Sequence, residues 1–364
     1  MDIVTHGLAS LAVARGLFPR AGKLAIAGAV LVGCLPDIDW IATFFGPSAA
    51  LTFRDTYLHS ILGAILIAIL PLSVLALTMA STATSNGAVF ANVGKLKEGE
   101  LFPEEPSAVR RLFLRRVGAY FVVLPLCAAL LHFAMDACQS GGVMLLWPFS
   151  SKRFAADWLP PLDFWILAIL IAAIALPELL RLVSSEIGAK SRKPRGRTGA
   201  LIGLALIVVY VGVRGTLHSN VAALLESRSF HGEPARRVAA YPEPLSLATW
   251  HGVVETESAL NQIDVNAFST ANFDADASLR IYKPEASPLL NSARNTRTAQ
   301  HFLAVAQIPK ASVEKTDVGY VVILRDLCYA AAGETSREIA ALIELDPDSK
   351  VTSEELVWAR DLRR

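Results

Sequence analysis

Ile61–Ala80 reads ILGAILIAILPLSVLALTMA, twenty residues without a single charged side chain. A bilayer core about 30 Å thick is crossed by a helix of roughly 20 apolar residues, so this stretch reads as a membrane span. Working outward, Val117–Met135 (VGAYFVVLPLCAALLHFAM) has His132 as its one ionisable side chain of that kind, with no Asp, Glu, Lys or Arg. Phe164–Leu182 keeps Glu178 and Arg181 near one end, where long side chains can reach the headgroups. Leu201–Leu217 is apolar apart from Arg214, and Leu24–Phe45 is long enough but interrupted by Pro36-Asp37-Ile38-Asp39. Ile3–Phe18 is a shorter apolar helix carrying His6 and Arg15, with neither the basic lead nor the cleavage site of a signal peptide. The expected fold is therefore mainly α, a polytopic transmembrane bundle of about six membrane-associated helices.

Composition agrees. The mean hydropathy of +0.43 and the 53% hydrophobic content exceed those of ordinary soluble chains. Net charge is +1 but unevenly divided. Residues 1–218 hold 19 Lys/Arg against 13 Asp/Glu, and residues 219–364 hold 15 against 20. With the fall in apolar density after His218, this sets two expected domains, 1–218 and 219–364. In the second, apolar runs at Gly252–Glu255, Leu279–Tyr282, Phe302–Ala306, Gly319–Leu324 and Ile339–Leu345 alternate with Pro, Asp, Asn and Gly turns. That pattern predicts a small β-rich or α+β domain. No phosphate-binding glycine loop, CxxC pair or GxSxG elbow occurs in it. His231, His251 and His301 are scattered and read as structural or surface residues.

Lys and Arg favour the cytoplasmic side of membrane proteins. Placing the basic stretches Ala108–Arg116 and Gly188–Gly199 inside puts 15 basic residues of the first region there and 4 on the other face. The N-terminus and the second domain are then expected outside the cytoplasm. In this orientation every acid on the outer side is an aspartate: Asp2, Asp37, Asp39, Asp55, Asp136, Asp157 and Asp163. Those on the inner side, Glu98, Glu100, Glu104, Glu105, Glu178 and Glu186, are all glutamates. His6, His59 and His132 also fall at outer helix ends.

Short Asp and His side chains gathered at one face are what an oxygen and nitrogen metal site requires. His132 and Asp136, four apart, share a helical face. Each piece has a plainer reading. Asp37 and Asp39 can end a helix in interfacial water, His59 or Ser60 can cap the span that follows, and His6 can be a polar helix tip. Ionisable groups at membrane depth are costly, however, and four separate segments deliver them to the same side.

The segments Val4-Thr5-His6-Gly7, Leu35-Pro36-Asp37-Ile38-Asp39, Leu58-His59-Ser60, His132-Phe133-Ala134-Met135-Asp136-Ala137 and Trp147-Pro148-Phe149-Ser150 with Arg153 carry a resemblance. In this order they resemble the YdjM-like family of predicted membrane-bound metal-dependent hydrolases of the bacterial inner membrane, over residues 1–180 and more loosely beyond. The resemblance implies His6, Asp37, Asp39, His59, His132 and Asp136 as metal ligands. Family members often carry a His-Arg-Gly-x-Thr-His-Ser run where this chain has Arg54-Asp55-Thr56-Tyr57-Leu58-His59-Ser60. Only the last His and Ser match, which counts against a two-ion site unless Asp55 substitutes.

The expected chemistry is metal-assisted hydrolysis, in which a divalent ion lowers the pKa of water. Asp39 or Asp163 would serve as general base. Zinc is the first choice of ion, with manganese or magnesium as alternatives. The expected partners are membrane lipids and a lipid-like or envelope-derived ester or phosphodiester, with no nucleic acid. Lys152 and Arg153 suit either a phosphate or interface anchoring. A non-catalytic envelope scaffold with a structural metal site and an ion or solute transporter are the competing classes. Transport would need polar residues continuing through the spans to the cytoplasmic side, and Ile61–Ala80 and Val117–Pro125 offer no charged one. Cys34, Cys127, Cys138 and Cys328 fall in different compartments, so no disulfide is expected.

Overall fold

The computed structural model describes residues 1–54, 56–69, 119–186, 196–270, 273–328 and 338–363. Helix α1 (Ile3–Leu17) starts at Asp2, whose carboxylate accepts the Val4 and Thr5 N–H groups at 3.0 Å each. This satisfies two of the donors that a helix start leaves unpaired. Helix α2 (Lys23–Cys34) lies tightly against α1. A Cβ on Gly33 would fall 1.9 Å from Ser10 Oγ, so only glycine permits this approach. The chain then bends by 46° into a 3-10 segment, Pro36–Phe45. Pro36 has no N–H to continue the α2 ladder. Helix α3 (Pro47–Phe53) follows, and residues 61–69 are helical.

A π-turn at Ala119–Val123 leads into the helix Leu124–Ala137. The next two helices are Phe164–Glu186 and Arg197–Glu226. They meet closely where Gly203 faces Ala173, with room for a Cβ lacking. Small residues at such contacts are the usual device for helices that pack in lipid.

Six spans are not supported. Among the described residues two helices, Tyr120–Ala137 and Arg197–Glu226, are long and apolar enough to cross a membrane. The number rises to three if α2 and the bent 3-10 segment count as one span. Helix α1 has 15 residues, about 22 Å at 1.5 Å per residue, which falls short of the bilayer core. The apolar part of the helix from Phe164 extends to Leu180, with Pro177 inside it. Most of the stretch expected to span at Ile61–Ala80 lies outside the described residues.

The C-terminal part is built from two antiparallel four-stranded sheets and a short hairpin, β1 (Ser229–Phe230) with β2 (Glu233–Pro234). One sheet is the meander β3 (Arg237–Pro242), β4 (Thr249–Glu255), β5 (Ala259–Asn266) and β6 (Leu279–Tyr282). The other runs β7 (Pro309–Thr316), β8 (Gly319–Asp326), β9 (Ile339–Leu345) and β10 (Val351–Trp358). In β8 the buried side chains Val322, Leu324 and Asp326 alternate, as a half-covered strand requires. Phe302 belongs to the helix Arg297–Leu303 rather than to a strand. With the helix Pro288–Arg294 it covers one face of the second sheet through Leu289, Phe302, Leu324 and Ile343. Val221 and Leu225 pack beneath Trp250 and Val254 of the first sheet. A third cluster, including Tyr241, Val253, Leu260 and Ile308, fills the space between the sheets.

The chain divides into two compact units that interleave in sequence. One comprises Met1–Ile38, Tyr57–Asp136 and Asp163–Tyr210. The other comprises Asp39–Thr56, Ala137–Leu162 and Val211–Arg364.

Candidate metal centre

Within the helical unit, His6, Asp37, His132 and Asp136 each offer a ligand atom, all within 4.8 Å of one another. His6 is delivered by α1, Asp37 by the first turn after Pro36, and His132 and Asp136 by successive turns of one helix. Their i, i+4 spacing places His132 Nε2 3.0 Å from Asp136 Oδ2. His59 stands beside the four, its Nε2 3.4 Å from Asp136 Oδ2 and 3.8 Å from Asp37 Oδ1. Of the two residues that could cap the helix after it, Ser60 does so, accepting Gly63 N–H at 3.1 Å. The His59 ring is thereby left to the cluster.

The outward-facing ring nitrogens define the arrangement. His132 Nδ1 lies 2.8 Å from the Gly33 carbonyl. That carbonyl is one of the last four of α2, which a helix cannot satisfy internally. His6 Nδ1 lies 3.0 Å from Asp37 Oδ2. Each contact calls for a proton on Nδ1 and so presents Nε2 as a bare lone pair, the second-shell arrangement of metal-bound histidines. Both Nε2 atoms are buried and make no well-formed hydrogen bond among the described residues, although His132 Nε2 is 3.0 Å from Asp136 Oδ2 and His6 Nε2 3.3 Å from its Oδ1. The His6 and His132 rings are 3.8 Å apart between centroids. The amino group of Met1 also contacts the Asp136 carboxylate. Side chains of the cluster are 0–3% exposed except Asp37, at 14%, which marks the side that solvent reaches.

Bare imidazole nitrogens and two carboxylates packed together in a dry place are costly unless a cation joins them. The donor set, imidazole nitrogen with carboxylate oxygen, suits a borderline divalent ion. The residues therefore fit a metal.

The other expected site residues lie elsewhere. Asp163 is 1% exposed and caps the helix Phe164–Glu186, accepting Trp165 and Ile166 N–H at 3.0 Å. Its second oxygen accepts the Tyr210 hydroxyl at 2.8 Å. An acid immediately before an apolar run is a readable helix start, and that signal was present in the sequence. Asp39 lies in the same 3-10 segment as Asp37, half-buried and outside the four-residue group. Arg153 donates to the Gly141 carbonyl at 2.6 Å and so is engaged by its own loop. Asp55 lies outside the described residues. Gly33, absent from the expected site, supplies both the close α1–α2 approach and the carbonyl that orients His132.

A family model described as YdjM inner membrane protein matches residues 1–221. The chain belongs to the YdjM family. The match contains every member of the His/Asp cluster and stops before the sheets, so the looser likeness expected through the C-terminal part is not seen. No curated protein and no solved structure matches the chain. As a YdjM-family protein it is an inner membrane protein with a possible metal-binding group of His and Asp side chains.

Proposed function

We propose that this YdjM-family protein is a metal-dependent hydrolase whose centre lies at the outer face of the inner membrane. Its substrate on this reading is a lipid-like or envelope-derived ester or phosphodiester. The observation that carries it is the pair of buried Nε2 atoms, of His6 and His132, held bare beside Asp136 by Nδ1 contacts to Asp37 and Gly33. When bound, a divalent ion, zinc first and manganese or magnesium next, would supply Lewis acidity and an acidified water. His6, His59, His132 and Asp136 would hold it, and Asp37 would orient His6 or join the ligands. Asp39 is taken first as the proton acceptor, and Asp163, which accepts Trp165 and Ile166 N–H at one oxygen and the Tyr210 hydroxyl at the other, second. The basic-residue asymmetry supports an extracytoplasmic C-terminal domain, which a reporter fused after residue 364 would test directly.

The function test uses full-length protein in lipid nanodiscs, with its metal content measured. It is then assayed on fluorogenic phosphodiesters and phospholipid esters before chelation, after chelation and after zinc return. Turnover that chelation removes and zinc restores is expected. Stoichiometric metal with no turnover on any ester or phosphodiester would instead favour a structural metal site in an envelope scaffold.

A further inference from the structure

A cleft of about 450 Å³ opens in the sheet region, between the β3–β6 sheet and the layer formed by the Pro288–Arg294 helix with β7 and β8. The volume is within the range of small-molecule sites, about 300–1,000 Å³. Its floor is aliphatic: Leu260, Ile308 and Leu324 are buried there, and Leu290 and Leu303 are partly covered. Its rim is cationic, carrying Arg237, Lys283, Arg294 and Lys310. Glu255 is the one acid among the lining residues, and it is already neutralised by Lys283 Nζ at 2.7 Å. Arg294 and Lys310 form no salt bridge among the described residues, and Arg237 has the buried Asp157 near it. This local excess of positive charge runs against the surrounding sequence, because residues 219–364 hold five more acids than bases.

Basic rim and aliphatic floor together select a ligand with both characters. A bare inorganic anion would leave the partly covered Leu290 and Leu303 wet, and a neutral hydrocarbon would leave the cations uncompensated. We propose that this cleft binds a single-chain amphiphile with an anionic head, its hydrocarbon on Leu260, Leu290 and Leu324 and its carboxylate or phosphate at Arg294 and Lys310. The inference does not depend on the metal centre, whose ligands are all in the helical region.

The test uses full-length protein in phosphatidylcholine nanodiscs, with EDTA present throughout so that failure here is separate from failure of the hydrolase reading. The probe is dansyl-labelled undecanoic acid, whose fluorescence is corrected against empty nanodiscs. Saturable binding is expected, displaced by both dodecanoate and dodecyl phosphate. Comparing those two shows whether the head is better matched as carboxylate or as phosphate. Displacement by dodecanol as effectively would make the cleft merely apolar, and displacement by inorganic phosphate as effectively would make it merely an anion site. Either result overturns the proposal. The double variant R294E/K310E should weaken binding at least tenfold. Ala311→Trp, which fills the cleft and keeps its charge, should abolish binding. Melting curves identify variants that fail to fold. Unchanged affinity in either folded variant, or no saturable binding by the parent protein, would also overturn it.

Discussion

Buried acids occur in both the sheet region and the helical region, and they are satisfied in opposite ways. Asp326, in β8, accepts backbone N–H groups of Gln307, Ile308 and Cys328 at 2.7–3.1 Å. Glu338 is gripped at both oxygens by Arg325, at 2.6 and 2.7 Å. Each of these acids is matched by donors that have no alternative use, and each fixes a strand end or a turn. Asp136 instead meets three imidazoles, His6 and His59 from other segments and His132 from its own helix, together with the Met1 amino group, and two of the rings turn lone pairs toward the cluster. A buried charge met by donors is architecture. Bare ring nitrogens beside two carboxylates, with only the Met1 amino group as a charged donor, make an arrangement that suits a bound cation.

The sharpest way to break this contrast is at Asp136. His132→Ala and Asp136→Ala should each take bound metal from stoichiometric to background while the helical fold, followed by circular dichroism, persists. A well-folded variant that keeps its metal would place the ion elsewhere. Asp326→Ala should do the reverse, leaving metal unchanged and costing stability. Three backbone N–H groups lose their acceptor, and with about 1–3 kcal/mol for each group left unsatisfied, a loss of about 3 kcal/mol is expected in denaturant titration.

A third acid tests the contrast through pH. Asp157 has a carboxyl pushed up to about 7 by burial, with Arg237 opposing and Tyr241 and Cys328 nearby. Its unfolded value is about 3.9, so folding takes up a proton between these limits. Stability contributed by this group is full below about pH 4 and is lost as pH rises toward 7, by up to about 4 kcal/mol at about 1.4 kcal/mol per pKa unit. Asp157→Asn should flatten that slope and raise stability at pH 7.5. Its left-handed backbone, φ 57°, accommodates asparagine. The smallest effect belongs to Asp163→Asn: about 1 kcal/mol from a weakened helix start, with metal content intact. Loss of rate without loss of stability in that variant would move the general base from Asp39 to Asp163.

Much of the centre was legible because its chemistry is written in residue type. Histidine and aspartate inside apolar runs have few structural excuses, and the four-residue step from His132 to Asp136 fixes their shared face. The orientation of those rings was not legible. It depends on a backbone carbonyl at Gly33 and on a contact across 31 positions between His6 and Asp37. The expected six spans are not supported among the described residues: the break at Pro36 and the shortness of α1, both readable in the sequence, leave two or three helices long enough to cross, and most of Ile61–Ala80 lies outside the described residues. In the C-terminal part, strand-sized runs gave β4, β6, β8 and β9 their approximate places. Phe302–Ala306 was too short for periodicity to separate strand from helix. Arg214 showed in the sequence merely as a flaw in an apolar segment.

That residue has a consequence for how the protein is made. Arg214 is 1% exposed near the middle of the Arg197–Glu226 helix. Its guanidinium donates to the carbonyls of Trp158, Ser246 and Leu247 and lies 4.5 Å from the Trp250 ring centre. In the apolar run Leu201–Leu217 Arg214 stands near one end, where an arginine costs an inserting helix less than the about 2.5–3.5 kcal/mol it costs at the centre. Synthesis runs from the N-terminus, so Trp158 exists before Arg214 emerges, whereas Ser246, Leu247 and Trp250 do not. For the time it takes to add some thirty residues, the nascent helix carries a charge with one of its three carbonyl acceptors made and two still to be translated. The first sheet's β3–β4 turn therefore completes the hydrogen bonding of Arg214 from downstream, so this helix reaches its final set of contacts after part of the sheet region has been made.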